Sequence, residues 1–241
     1  AGQPSLSKLG WQPHSDRLKI GPTKIHLQEA NLPDFDEICE LIAESHIEDR
    51  SVAFHCVTEI ELVFALAVLA KTQSINGDRI EHASIVPPHL LQSISELGLA
   101  VVTQPNFILE RGDQYLKDIN FKEIPYLYRG KSFMDQEIRL AGGTDAPFGT
   151  ANPWLAMQAA VSRCSLGGQV INHSEALTPE QAVSLFLGEL QDPTKLRRLE
   201  AGAVAHMCLL DRNWHQARQA LNNVEVIATW RAGQLIHDSV N

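Results

Sequence analysis

SVAFHCVTEIELVFALAVLAKTQSINGDRIEH, residues 51–82, reads as a strand, a helix and a second strand. SVAFHCV (51–57) and RIEHASI (79–85) are short, largely apolar runs of the kind that form buried strands. Between them, TEIELVFALAVLAKTQ (58–73) opens on Thr58 with Glu61 three residues on, the pattern of a capping box. The same rhythm continues outward. LKIGPTKIHL (18–27) reads as a strand bent at Gly21-Pro22. LPDFDEICELIAESH (32–46) is an amphipathic helix with Leu32, Phe35, Ile38, Leu41 and Ile42 on one face, capped by Asp34 or Asn31. Downstream, Pro87-Pro88 opens a helix over 89–98 that Gly98 can stop, and LAVVTQPNF (99–107) is a further strand. Residues 108–128 read as a long loop with some helix, and 130–140 as helical. AGGTDAPFG (141–149) is a strand end running into a turn. Helices follow over 154–163, behind Pro153, and over 177–190, with Thr178 as N-cap, Pro179 first and Gln181 third.

Strands alternating with helices specify an α/β protein with a parallel sheet. Up to Asp145 there are five such strands, over 18–25, 51–56, 79–83, 99–104 and 141–145. A closed (β/α)8 barrel needs eight. The expected architecture is therefore an incomplete (β/α)8 TIM-type barrel over residues 1–200. A short C-terminal β segment, 201–241, follows, with strands at 203–211, 224–230 and 234–238 and a turn at Arg231-Ala232-Gly233. Residues 1–17 are polar and read as an irregular lead-in.

Four residues stand at the ends of these strands: Lys24 in IGPTK, His55 in SVAFH, His82 in RIEH and Asp145 in LAGGTD. Strand C-termini of such barrels converge on one mouth. Imidazole and carboxylate are ligands for zinc-type cations. A carboxylate beside an activated water can take its proton. An ammonium ligates nothing, but a lysine with lowered pKa can react with carbon dioxide to give an anionic carbamate. Alone, a strand-end lysine is usually a snorkelling or salt-bridged group, and a lone histidine after an apolar run is usually a core residue. The four together, each at a strand end, point to a hydrolytic metal site. His26, two residues past Lys24, is a substitute or neighbouring group, and Gln104 and Asn106 should line the mouth. Cys56 follows His55 directly, so its side chain should leave by the opposite face as a packed thiol.

Composition sets bounds. Apolar residues make up 44% and charged residues 20% of the 241, as in ordinary globular proteins. The net charge of −9 argues against a nucleic-acid partner. No apolar run is long enough to span a membrane. The four cysteines form no CxxC pair, which suits reduced thiols in the cytoplasm. No GxGxxG or GxxxxGK[ST] motif follows any strand, which disfavours nucleotide binding.

GPTKI, AFHCVTEIEL, RIEHASIVPPHLL, VVTQPNF and GGTDAPFGTANPWLAMQAAVSR together resemble the second half of an amidohydrolase-superfamily enzyme of the type 3 branch. The resemblance implies a (β/α)8 barrel with a β-sandwich, of which this chain would carry about strands 4–8. It implies Lys24 as the strand-4 lysine, often carboxylated and metal-bridging, and His55 and His82 as the strand-5 and strand-6 ligands. Asp145 would be the strand-8 aspartate that holds metal and activates water. It further implies one or two divalent metal ions, zinc foremost, and a small-molecule substrate hydrolysed at an amide or other non-peptide carbon–nitrogen bond. The family's strand-1 His-x-His pair is absent: no HxH occurs in this sequence. The chain has Thr58-Glu59 where the branch usually has Gly-Asp, and His206 where the tail motif usually has Asp. These departures leave two readings: a truncated metal-dependent hydrolase with little activity alone, or a non-catalytic remnant serving as an interaction or structural subunit. A homodimer, or an N-terminal half on a separate chain, would cover the open barrel edge.

Overall fold

The computed structural model describes residues 20–239. The lead-in 1–17 and the first two residues of LKIGPTKIHL lie outside the described residues. Two compact units divide the chain, one holding the residues up to Gln104 with Gln114–Gly142, the other Pro105–Asp113 with Gly143 onward.

The first unit is built on a parallel sheet. Its strands are β1 (Thr23–His26), β2 (Val52–Cys56), β3 (Arg79–His82), β4 (Ala100–Thr103) and β5 (Arg139–Gly142). Helices α1 (Phe35–Ile47), α2 (Glu59–Thr72) and α3 (Pro88–Glu96) make the first three crossovers. The last crossover contains α4 (Asn106–Asp118), inside which the division between the units falls, and α5 (Lys131–Asp135). Spatial order equals chain order, β1-β2-β3-β4-β5, and every pair is parallel. A doubly wound sheet would reverse its order at a switch point; this singly wound order is that of a sector of a (β/α) barrel.

Register sorts the side chains by face. Ile25, Phe54, Ile80, Val101 and Leu140 form one row. The first four are buried, and they join Ile38 and Ile42 of α1, Leu62, Leu66 and Leu69 of α2, and Ile94 of α3 in one apolar core. Each such side chain contributes about 1.5–3 kcal/mol by leaving water. The opposite face carries Lys24, Ala53, Arg79, Ala100 and Arg139 in one row and His26, His55, Glu81, Val102 and Ala141 in the next.

Local chemistry explains the helix starts. Asp34 accepts from the Asp36 and Glu37 amides. Thr58 and Glu61 form the full reciprocal capping box. A polar clamp secures the N-terminal end of the sheet: buried Asp78 accepts from the Val52 and Ile75 amides and pairs with His46 at 3.1 Å.

The second unit contains α6 (Pro153–Ser162), α7 (Pro179–Ser184) and α8 (Trp214–Ala217). Its antiparallel sheet is β6 (Met207–Leu210), β7 (Val226–Arg231) and β8 (Gln234–Asp238), in that order. Inside it, buried Arg163 donates from Nε to the Ile171 carbonyl at 3.1 Å. The Glu175 carboxylate opposes the burial that lowers this guanidinium's pKa to about 10.

Two elements differ from the sequence expectation. Residues 106–118 are a regular helix rather than a loop. Gly112 weakens its helical signal, but a Cβ there would stand 2.6 Å from Ile171 Cδ1 and 2.9 Å from Ser165 Cβ. Packing demands the glycine that propensity disfavours. α7 ends at Ser184 rather than near 190: Gly188 lies against the Pro193 backbone and bridges to Leu196, so the chain turns back there. Among the described residues no helix is long and apolar enough to cross a membrane.

Candidate metal centre

Three imidazoles gather at the C-terminal ends of β1, β2 and β3. His26 is level with His55 in the register, and their ring centroids are 4.2 Å apart. His55 and His82 have centroids 4.3 Å apart. Both contacts are edge-on.

His82 reaches this group by an unexpected route. It pairs in register with Cys56, whose side chain belongs to the apolar core. Alternation alone would send His82 the same way as Ile80, into that core. Instead the backbone turns at the strand end. His82 has φ 71° and Ala83 φ 47°, and the Ala83 amide donates to the Glu81 carbonyl at 3.0 Å. This is a γ-turn of the rare positive-φ kind, costing on the order of 1–3 kcal/mol. It brings a buried imidazole against His55.

Burial, foremost, and then the neighbouring His82, His26 and Lys24 lower the His55 pKa to about 3. The ring is therefore neutral at physiological pH, the state in which imidazole ligates metals. Lys24 lies on the same face, one row beneath His26 and roughly 6–7 Å lower along the strand. Its stem is long enough to span that distance, and its charge is felt at His55. Cys56 is buried on the far face, and burial raises its thiol pKa well above the usual range.

Two contributions to this rim were not foreseen from the sequence. Glu81, level with His55, is held by Arg79 from its own strand at 2.7 Å; the alternation R-x-E in RIEH is the signal that would have found the pair. Glu61 is buried, and beyond its capping role it accepts from the Val57 amide at 2.7 Å and the Glu29 amide at 3.1 Å. One carboxylate thus ties the segment after His26 to the segment after His55. Near the C-terminal ends of β3 and β4, Ser84 Oγ, Thr103 Oγ1 and Gln104 Oε1 are buried without a hydrogen-bond partner.

The donor types suit a divalent cation: imidazoles on adjacent strands beside a lysine. Among the described residues no group of three or more His, Cys, Asp or Glu side chains is placed to hold a metal as it stands.

Asp145 belongs to the second unit. It has φ 55°, and its carbonyl accepts from the Phe148 and Gly149 amides at 2.8 and 3.1 Å, closing a tight turn across the cis Ala146–Pro147 bond. Asn106, fully buried, fastens this turn by donating from Nδ2 to the Thr144 carbonyl at 3.1 Å. Gly149 packs so closely on Thr144 and Asn106 that no Cβ fits.

YtcJ of Bacillus subtilis (strain 168) is 24% identical over 180 residues, 73% of this chain and 33% of that protein. The N-substituted formamide deformylase of Arthrobacter pascens is 25% identical over 237 residues, 94% of this chain and 43% of that one. The chain thus spans less than half the length of these relatives. An uncharacterized metal-dependent hydrolase from Pyrococcus horikoshii OT3 shares the fold, with TM-score 0.66 and 24% identity over 75% of this chain and 42% of that one. The family model described as the amidohydrolase family matches residues 15–237, and the chain belongs to that family.

Proposed function

We propose that this chain is the part of a metal-dependent hydrolase that supplies imidazole ligands and a proton-accepting carboxylate, acting on an amide or other non-peptide carbon–nitrogen bond of a small molecule. The observation that carries the reading is the strand-end pair His55 and His82, with His55 held neutral by its surroundings. Family membership supports it, as do the metal-dependent hydrolase named among the solved structures and the deformylase named among the relatives. A divalent cation, zinc in this proposal, polarises a carbonyl and lowers the pKa of a water to about 7. His55 and His82 would hold it, and Lys24 would add a third ligand as a carbamate. Asp145 accepts the proton of the attacking water and passes it to the leaving nitrogen. In the same proposal β1–β5 correspond to strands 4–8 of the full barrel, residues 1–200 to its barrel part and 201–241 to its β-sandwich. A second copy or an N-terminal half on another chain covers the sheet edge.

The test is zinc binding by the purified chain, followed by turnover of a panel of N-acyl and cyclic amides. One tightly bound ion per chain is expected, lost in His55→Asn and His82→Asn, with turnover abolished in Asp145→Asn. A chain that takes up no zinc refutes the reading. A second reading, a non-catalytic interaction subunit of the same fold, is favoured by the lack of three converged ligand side chains among the described residues. Zinc uptake without turnover of any substrate would select it.

A further inference from the structure

We propose that the start of α4 is a positioning device for Asp145, with Glu110 the positioning residue that fixes the backbone beneath its carboxylate. The inference rests on the proton-accepting role given to Asp145 above and concerns what holds that residue in place. Residues 105–113 and the Asp145 turn lie in the same compact unit. Asn106 Nδ2 donates to the carbonyl of Thr144, the residue before Asp145, at 3.1 Å. The same nitrogen donates to Glu110 Oε1 at 3.2 Å, and that oxygen also accepts from the Thr150 amide at 3.1 Å. Asn106 and Glu110 stand four apart on α4, so their side chains share one helix face. A single carboxylate oxygen thus joins the two ends of the turn, through the side-chain amide of a fully buried asparagine. In the middle of the turn, Arg111 Cζ lies 4.0 Å from the centre of the Phe148 ring, and Nη2 donates to the Phe148 carbonyl at 3.4 Å.

All of these contacts fall on the residues around Asp145, and none falls on its carboxylate. That residue is exposed, and its side chain has no hydrogen-bond or ionic partner among the described residues. Its backbone, at φ 55°, is in a left-handed conformation that a residue other than glycine keeps only where the surrounding structure over-determines it. α4 supplies that surrounding structure. A backbone fastened before, within and after the strained residue, carrying an acid that nothing else engages, is the arrangement expected of a carboxylate kept in one place for proton transfer. Glu110 is half-buried, whereas Asn106 is fully enclosed, so Glu110 is the member of the network that can be altered at least cost to packing.

The experiment uses the full chain and compares Glu110→Ala, Glu110→Gln and Arg111→Met with the unmutated protein. With Zn²⁺ present, kcat and KM are read on the N-acyl and cyclic amide panel, and Zn²⁺ affinity by competition with a chromophoric chelator. Without Zn²⁺, the ¹⁵N heteronuclear Overhauser effect of the Asp145 amide reads local order independently of turnover. Glu110→Ala should lower kcat about 10- to 100-fold, leave KM and Zn²⁺ affinity unchanged, and make the Asp145 amide mobile. Glu110→Gln keeps an oxygen that accepts from Thr150 and Asn106, and should restore both kcat and order. Arg111→Met should show a smaller loss confined to kcat, and it decides the matter if Glu110→Ala does not fold. An unchanged kcat or an equally ordered Asp145 amide in Glu110→Ala overturns the inference while leaving the hydrolytic reading standing. So does a fall in Zn²⁺ affinity alongside kcat, or a glutamine variant no better than the alanine one. Absence of turnover by the unmutated, zinc-loaded chain overturns the inference and the hydrolytic reading together.

Discussion

Replacing Glu61 by alanine removes the acceptor for three backbone amides, Glu29 at 3.1 Å, Val57 at 2.7 Å and Thr58 at 3.2 Å. The carboxylate is buried. A hydrogen bond to a charged acceptor contributes about 1.5–3 kcal/mol, but the bonds share one group and water entering the gap recovers part of the loss. A net cost of about 3 kcal/mol follows, the low end for breaking a buried charged network. Urea unfolding should show a lower midpoint with an unchanged slope. The effect should also be local. Hydrogen exchange at the amides of Glu29, Val57 and Thr58 should quicken by roughly 100-fold, since every 1.4 kcal/mol is a factor of ten. Glu61→Gln keeps the shape without the charge and should fall between. An unchanged midpoint would refute the reasoning. A lowered midpoint with those three amides exchanging at the same rate as in the unmutated chain would place the role of Glu61 in packing rather than in joining the two segments.

Other predictions concern single sites. Gly149→Ala forces a methyl group onto the Thr144 carbonyl and the Asn106 amide; a loss of about 1–3 kcal/mol is expected, with exchange quickening at the Phe148 and Gly149 amides. Arg163→Ala strips a buried carboxylate, Glu175, of its opposing charge and should cost about 3–5 kcal/mol in urea unfolding, more than Arg163→Ala combined with Glu175→Ala. His55 has a pKa of about 3 in the fold against 6.5 when unperturbed, so the unfolded chain takes up its proton first as the pH falls. The stability it carries is intact above about 6.5 and drains towards about 3. The slope is at most about 1.4 kcal/mol per pH unit, and less here because the ring is partly solvated. His55→Asn should flatten the fall in urea midpoint between pH 6.5 and 4; parallel falls in both proteins would assign that limb to other groups.

The alternation of strands and helices was legible because each strand's apolar run is bounded by a strong local signal. The Thr58–Glu61 box, Pro88, Pro153 and the Thr178–Gln181 box each appear at the start of their helix as read. Helix α4 was not legible, since Gly112 answers to Ile171 and Ser165, fifty or more residues away, rather than to its own turn. Among the site residues, His55 and Lys24 could be placed on one face by strand phase alone, and Cys56 on the other. The reach of Glu61 to Glu29 could not be read, because a capping box explains its presence fully without the longer contact. Nor does strand phase account for His82, whose face depends on two backbone angles rather than on its position in the count.

That γ-turn has a consequence for anyone threading related chains. Counting odd and even positions along β3 deposits this histidine in the oily layer under the helices, and a β-branched side chain at 83, which resists left-handed backbone, would tend to send it there in fact. The place of His82 at the strand ends thus depends on a buried alanine of the core, and a homologue could keep every histidine while losing the bend that turns one of them.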